Sequence, residues 1–355
     1  MLKNKIVNLF IMSKKYIYLE NLSKTQIELV NNFNKNSKIN YDLCSCEVCH
    51  SKDYKTIFNN DRYGIDQKTC CCNQCGFIFS NPRLSKESAK FFYNSNLYRI
   101  LYDGISENFK EDDLYQNALD ELNQYKPVLP KKPNFKNYYD QLYFDFINDQ
   151  INDYETVLDI GTGRGKKLID FEFIGKKAEG IEPSKIYNKV HLELGLNSQV
   201  GFLDDVKKQY DLVVITQVLE HLTNLNEVVN KLSNITKKYL FIEVPGHKEK
   251  LQSIQNAHNF YFSVNTLNHF VLNNKFKLVK IESALDNEDI FAIYKKTEKN
   301  GVYIFNYKNE KKIIKKIYKK YLIRYFWNFV LLKILKLPGT EQKIRALYRK
   351  IKSYF

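Results

Sequence analysis

The sequence predicts an α/β protein: a doubly wound, seven-stranded, mostly parallel sheet, with an N-terminal four-cysteine metal module in front and a basic helical C-terminal tail behind. Three observations carry that prediction. Short apolar runs alternate with helical patterns from residue 153 to about 298, all seven cysteines lie between Cys44 and Cys75, and from Asn309 to Phe355 there are 14 Lys and Arg against two Glu.

The first strand, Glu155 to Ile160, carries Asp159 near its end and runs into Gly161-Thr162-Gly163-Arg164-Gly165. Glycines at alternate positions lack a Cβ, so the backbone can turn tightly and approach a ligand. The spacing is not G-x-G-x-x-G, and no Lys-Ser/Thr follows, which points away from a phosphate loop and only weakly toward dinucleotides. A second strand, Ala178 to Ile181, ends in Glu182-Pro183, 17 residues past Gly165. A carboxylate at that edge of a parallel sheet can accept both hydroxyl hydrogens of a ribose. Together the two features predict a pocket for a nucleoside carried on a small cofactor.

The remaining elements complete the sheet. Strands are expected over Ser198 to Phe202, Tyr210 to Thr216 and Tyr239 to Val244, with helices near Asn224 to Thr236 and Val264 to Asn274. Phe276 to Ser283 and Phe291 to Lys296 follow with no helix between them. A terminal hairpin fits an antiparallel addition to a parallel sheet and rules against a closed eight-stranded barrel.

Five segments result: an N-terminal extension (1–43), the cysteine module (44–84), a helical, aromatic-rich linker or cap (85–152), the nucleoside-binding domain (153–298) and the tail (299–355). Ser23 is a candidate N-cap for a helix in the first segment, residues 127–133 read as a loop, and the cysteine module is expected to hold few regular elements. No apolar run approaches the ~20 residues of a membrane-spanning helix, and the start lacks a long apolar region and a cleavage site. The expected location is cytoplasmic.

Cys46-x-x-Cys49 and Cys72-x-x-Cys75 are separated by 22 residues. Four thiolates close a tetrahedral zinc site with no open position, so the zinc would be structural. An iron–sulfur centre or plain buried thiols are the alternatives, and Cys44, Cys70 and Cys71 are left over.

From Cys46 to about residue 298 the chain resembles the class I S-adenosylmethionine-dependent methyltransferases (Rossmann-like), and more narrowly bacterial ones with an N-terminal zinc-binding module that modify sugars and polysaccharide precursors. The matching residues are Cys72-Asn-Gln-Cys75-Gly-Phe-Ile-Phe-Ser-Asn-Pro82, the aromatic stretch to Tyr93, the glycine turn, Gln217-Val-Leu-Glu220-His221-Leu, and Ala257-His258-Asn-Phe-Tyr261. The resemblance implies S-adenosyl-L-methionine as cofactor, with Asp159, Gly161, Thr162, Gly163 and Gly165 around its methionine part. Glu182 and Pro183 would lie at its ribose and Gln217 at its border. It places Glu220, His221, His258 and Tyr261 at the acceptor, with His258 as candidate base and Tyr261 as its orienting partner. Each has a plainer reading: His258 as a surface or capping histidine, His221 as a structural one, Glu220 as a first-turn acid. Gly246-His247 and a polar insert depart from the family's Pro-Asn, so acceptor contacts there do not carry over.

The expected acceptor is a small molecule, nucleotide sugar or glycan, such as a capsule or lipopolysaccharide unit or another phosphorylated precursor. An RNA methyltransferase gripping its substrate with the zinc module and tail is an alternative, although Asn/Asp-Pro-Pro-aromatic is absent. A non-catalytic cofactor-binding scaffold is another. Residues 311–355 pair lysines with apolar and aromatic residues at helical spacing, which suits peripheral contact with anionic lipid at the inner face of the membrane, docking on the chain's own domain, or nucleic acid.

Overall fold

The computed structural model describes residues 24–37, 39–61, 66–95, 97–102, 111–125, 138–246, 255–284 and 289–312. Ser23, His247, the 127–133 loop and the basic tail beyond residue 312 lie outside them.

Helix α1 (Lys24–Lys35) and strand β1 (Tyr41–Asp42) lead into an antiparallel module of β2 (Tyr54–Asn60), β3 (Asp66–Cys72) and β4 (Ile78–Ser80). The module therefore has more regular structure than the sequence suggests. Cys70, Cys71 and Cys72 are inward residues of β3, so metal-type residues hide a strand pattern. After β5 (Arg83–Leu84) come α2 (Lys86–Asn94), α3 (Leu97–Tyr102), α4 (Glu111–Gln124) and α5 (Tyr138–Asn148). Ser85 starts α2 by accepting the Ser88 N–H.

The large sheet is built from β6 (Thr156–Ile160), β7 (Lys177–Glu182), β8 (Ser198–Val200), β9 (Tyr210–Thr216) and β10 (Thr236–Pro245), with α6 (Lys166–Phe173), α7 (Lys185–Glu193) and α8 (Leu225–Ile235) between them. Next come β11 (Phe260–Tyr261), α9 (Val264–Leu272), β12 (Phe276–Ala284) and β13 (Asp289–Lys296). The seven strands lie in the order β12-β13-β10-β9-β6-β7-β8, and β13 is antiparallel to both neighbours while the other pairs are parallel. Strand order reverses between β6 and β9. The turns leaving those two strands face each other there, which is where open parallel sheets bind ligands.

Alternation along the strands divides the core into two layers. Leu158, Ile160, Val213, Ile215, Leu240 and Ile242 pack with Leu225, Val229 and Leu232 of α8 and Leu267, Phe270 and Val271 of α9. On the other face Val157, Leu212, Val214 and Phe241 meet Tyr143, Phe144 and Ile147 of α5 and Leu168 and Phe171 of α6. Ser184, Asn224 and Ser263 cap α7, α8 and α9 by accepting an N–H three residues on.

The cysteine module is joined to this domain by main-chain pairing. β4 takes β11 as its outer neighbour, Phe79 opposite Phe260 and Ile78 opposite Tyr261. Phe77 stacks on Phe260 and packs on Phe270, with ring centroids 6.0 and 5.8 Å away, and Glu47 accepts the Leu225 N–H at 2.7 Å while pairing with Arg83. Among the described residues no helix is long and apolar enough to cross a membrane.

Candidate functional site

The turn after β6 is held open by three residues in the left-handed region: Gly161, Gly163 and Gly165 at φ +68, +56 and +96. A Cβ on Gly161 would lie 2.5 Å from Val218 Cγ2, and one on Gly165 2.8 Å from the buried His191 ring. At Gly163 the same position is roomy, its nearest neighbours being Gly161 O at 3.9 Å and Arg99 Nη2 at 4.0 Å. Gly161→Ala is expected to cost about 1–3 kcal/mol, read by urea titration. Gly175→Ala, at φ +77 with nothing within 4 Å, isolates the backbone share of that loss.

Asp159 and Thr162 brace the turn. Thr162 Oγ1 donates to Asp159 Oδ2 at 2.6 Å, while Asp159 Oδ1 is buried with no hydrogen-bond partner among the described residues. Burial pushes the Asp159 carboxyl up, against a pull downward from Lys167. Glu182 closes β7 and is 2% exposed. Its Oε2 accepts the Gly163 N–H at 2.9 Å, and its Oε1 accepts the Ser184 N–H at 3.0 Å and Arg99 Nη2 at 3.2 Å. Pro183 sits in the bend between Glu182 and the Ser184 cap. Thus the two halves of the predicted nucleoside pocket touch directly, and a residue from α3 joins them.

Gln217 has φ +54, a strained conformation for a side-chain-bearing residue. Its amide donates to Glu243 Oε1 at 3.1 Å and Asp289 Oδ1 at 3.3 Å, so the residue that reaches the glycine turn is its neighbour Val218.

Beyond Val218, a 3-10 turn over Leu219–His221 buries Glu220 and His221. His258, from the chain just before β11, meets them. Nε2 of His221 and of His258 lie 3.7 and 3.9 Å from Glu220 Oε1, and the two rings are 4.8 Å apart. Among the described residues neither Glu220 oxygen has a hydrogen-bond partner. Burial drives the Glu220 carboxyl well above its ordinary value and lowers His221 to about 4. His221 Nδ1 donates to Ala257 O at 2.9 Å, which leaves the Nε2 lone pair toward Glu220. The donor atoms of Glu220, His221 and His258 lie within 4.8 Å of one another, a set that can hold a proton or a cation.

The cysteine module fixes His258 from below. Ser80 Oγ donates to His258 O at 2.7 Å, Gln67 Nε2 to the same oxygen at 3.3 Å, and the Gln255 amide lies against His258 Nε2. Tyr261 is edge-on to His258 at 6.1 Å between centroids, with its buried hydroxyl toward Thr69 and Ser80. Tyr93 and Tyr98, from α2 and α3, pack on the His221 ring at 6.0 and 5.3 Å. Arg99, Val218 and these tyrosines are the site residues that sequence reasoning missed. Tyr93 and Val218 stand in recognised motifs, Arg99 and Tyr98 in none.

Cys46, Cys49, Cys72 and Cys75 bring their sulfurs within 4.8 Å of one another as free thiols. Cys46–Cys75 and Cys49–Cys72 are 3.4 and 3.5 Å apart. A tetrahedron with 2.3 Å bonds has edges of about 3.8 Å, so the set fits a metal ion. Each C-x-x-C is followed by a left-handed residue, His50 at φ +57 and Gly76 at φ +87. The Cys46–Cys75 and Cys72 contacts split the thiols, Cys72 pushed down by its sulfur neighbours and Cys46 up to about 12.

Residues 126–281 match a family described as a methyltransferase domain. No curated protein matches the chain. Similar solved structures include the magnesium protoporphyrin IX methyltransferase of Synechocystis PCC 6803 with bound SAH, at 14% identity and TM-score 0.39, covering 60% of this chain and 100% of that one. Another is the CcbJ methyltransferase of Streptomyces caelestis, at 11% identity and TM-score 0.40, covering 53% and 100%. A third is an S-adenosylmethionine-dependent methyltransferase of Mesorhizobium loti, at 8% identity and TM-score 0.35, covering 42% and 95%.

Proposed function

We propose that this chain, an S-adenosylmethionine-dependent methyltransferase, methylates a small-molecule or glycan acceptor, such as a nucleotide sugar or another phosphorylated precursor, with the Glu220–His221–His258 cluster receiving the acceptor's proton. The observation that carries this reading is a buried acid, without a hydrogen-bond partner at either oxygen among the described residues, set against two imidazoles.

The pocket fits the cofactor. Asp159 Oδ1 is an unused acceptor for an ammonium, Glu182 suits a ribose diol, and Gly163 leaves room where a side chain would intrude. When bound, S-adenosylmethionine supplies an electrophilic methyl group on a sulfonium. The chain's own work is to align the acceptor in line with that methyl group and to remove its proton. Burial favours the protonated acid at Glu220 and the neutral imidazole at His221, so the acceptor's proton goes to His258. His258 is the base in this scheme, with Glu220 and His221 as its buried neighbours. The four cysteines suit a structural zinc, which would hold β4 and thereby His258 in place.

The test is turnover against a panel of sugar acceptors. His258→Ala should lower kcat by about 10²–10⁴-fold, with S-adenosylhomocysteine affinity unchanged in titration calorimetry. An unchanged pH–rate profile would remove His258 as base and leave the cofactor site standing. A second metal per chain, lost in Glu220→Gln, would make the cluster a cation site instead.

A further inference from the structure

We infer that Arg99 is a cofactor-binding residue that exchanges partners: it pairs with Glu182 in this structure and transfers to the carboxylate of the cofactor's amino-acid end when the ribose takes Glu182. The inference rests on the S-adenosylmethionine reading of the glycine turn and adds to it a residue from outside that domain.

Three observations support it. First, Arg99 Nη2 stands 3.2 Å from Glu182 Oε1 and 4.0 Å from the Cβ position of Gly163, so the guanidinium sits between the ribose acid and the roomy end of the turn. Second, the contacts on Glu182 are unequal. The N–H groups of Gly163 and Ser184 belong to the turns that shape the pocket, whereas Arg99 arrives from α3 and covers a direction that a diol donating to both oxygens needs. Third, the cofactor's amino-acid end carries an ammonium and a carboxylate. The unpartnered Asp159 Oδ1 answers the first. The nearby cations Arg164 and Lys166 are committed to Glu121 and Lys167 lies over the Tyr143 ring, which leaves Arg99 to answer the second.

The seat of Arg99 favours such an exchange. Its Cζ lies 4.7 Å from the Tyr187 ring centroid and 5.2 Å from that of Tyr98. Stacking on ring faces holds the guanidinium plane while its edge N–H groups change acceptors, which a lysine does less well. Losing one carboxylate to a ribose and gaining another keeps the guanidinium paired with a carboxylate in both states.

Two ligands sharing one nucleoside separate this role from simple support of the pocket. In titration calorimetry on the full chain, Arg99→Ala should weaken S-adenosylhomocysteine by about 10–100-fold, the usual worth of a charge-assisted hydrogen bond. It should leave 5′-methylthioadenosine, which has no amino-acid end, as tight as in the wild type or tighter. Arg99→Gln, closer in size, should give the same split and stands in where alanine prevents folding. Equal weakening of both ligands, or undiminished S-adenosylhomocysteine binding, would overturn the inference. If the wild-type chain bound neither ligand, the fault would lie in the cofactor reading beneath it.

Discussion

Glu220→Gln is expected to make the folded chain more resistant to heat than the wild type above neutral pH. Burial raises the Glu220 carboxyl well above its ordinary 4.5, so the folded state holds that proton more tightly than the unfolded state does. The group's contribution to stability is complete below pH 4.5 and is lost as pH rises through the raised folded value. Glutamine does not titrate and escapes that loss. Its amide can also donate to an imidazole nitrogen. Melting curves of wild type and variant should therefore nearly coincide near pH 4.5 and separate steadily as the buffer becomes more basic. His221 runs the other way. Its folded value of about 4 lies below its ordinary 6.5, so its contribution is complete above pH 6.5 and lost as pH falls through about 4. A Glu220→Gln chain that melts lower than wild type at pH 8 would show that the acid is held by a partner and not merely tolerated.

Removing the zinc proposed for the cysteine module should abolish turnover while sparing the cofactor. Structural zinc in small modules contributes about 10–16 kcal/mol of apparent binding energy, as much as the ~5–15 kcal/mol that holds a typical domain together. The double variant Cys72→Ser, Cys75→Ser should contain about one metal fewer per chain and lose the β2–β4 sheet. With it go the pairing of β4 to β11 and the hydrogen bonds from Ser80 and Gln67 to the His258 carbonyl. A displacement of ~1 Å at the reacting groups is enough to cost about 10²-fold in rate. Gly163, Asp159 and Glu182 belong to β6, β7 and their turns, so S-adenosylhomocysteine should still titrate within about twofold of wild type. Turnover that survives metal loss would mean that the module is an appendage and that β11 holds its place unaided.

The parts of this arrangement that were legible in the sequence are those whose determinants are local. Strand β9 (Tyr210–Thr216) announces itself by the apolar run from Leu212 to Ile215, and Glu182 stands out because an acid-proline pair closes β7 at a set distance from three glycines. The helix expected over Val264 to Asn274 forms as Val264–Leu272, opened by the Ser263 cap. What remained hidden depends on distant partners. The sheet of the cysteine module finds its last strand in Phe260–Tyr261, and nothing near Ile78 tells that such a neighbour exists. Arg99 is one of many basic residues in a lysine-rich chain, and only the packing of α3 brings it to Glu182. The resemblance places Gln217 at the cofactor's border. Its left-handed backbone, which turns the amide toward β10 and β13, has no signature in residue type.

The junction of β4 with β11 also sets an order of events for a growing chain. Ser80 and His258 are 178 positions apart, so the front module leaves the ribosome long before the strand that seals its open edge has been made. Throughout that interval an exposed row of main-chain donors and acceptors invites pairing with a stranger, the hazard that unprotected strands carry in any slowly assembled protein. Early capture of a metal ion would then serve nascent-chain safety, holding the fragment compact until its proper neighbour arrives.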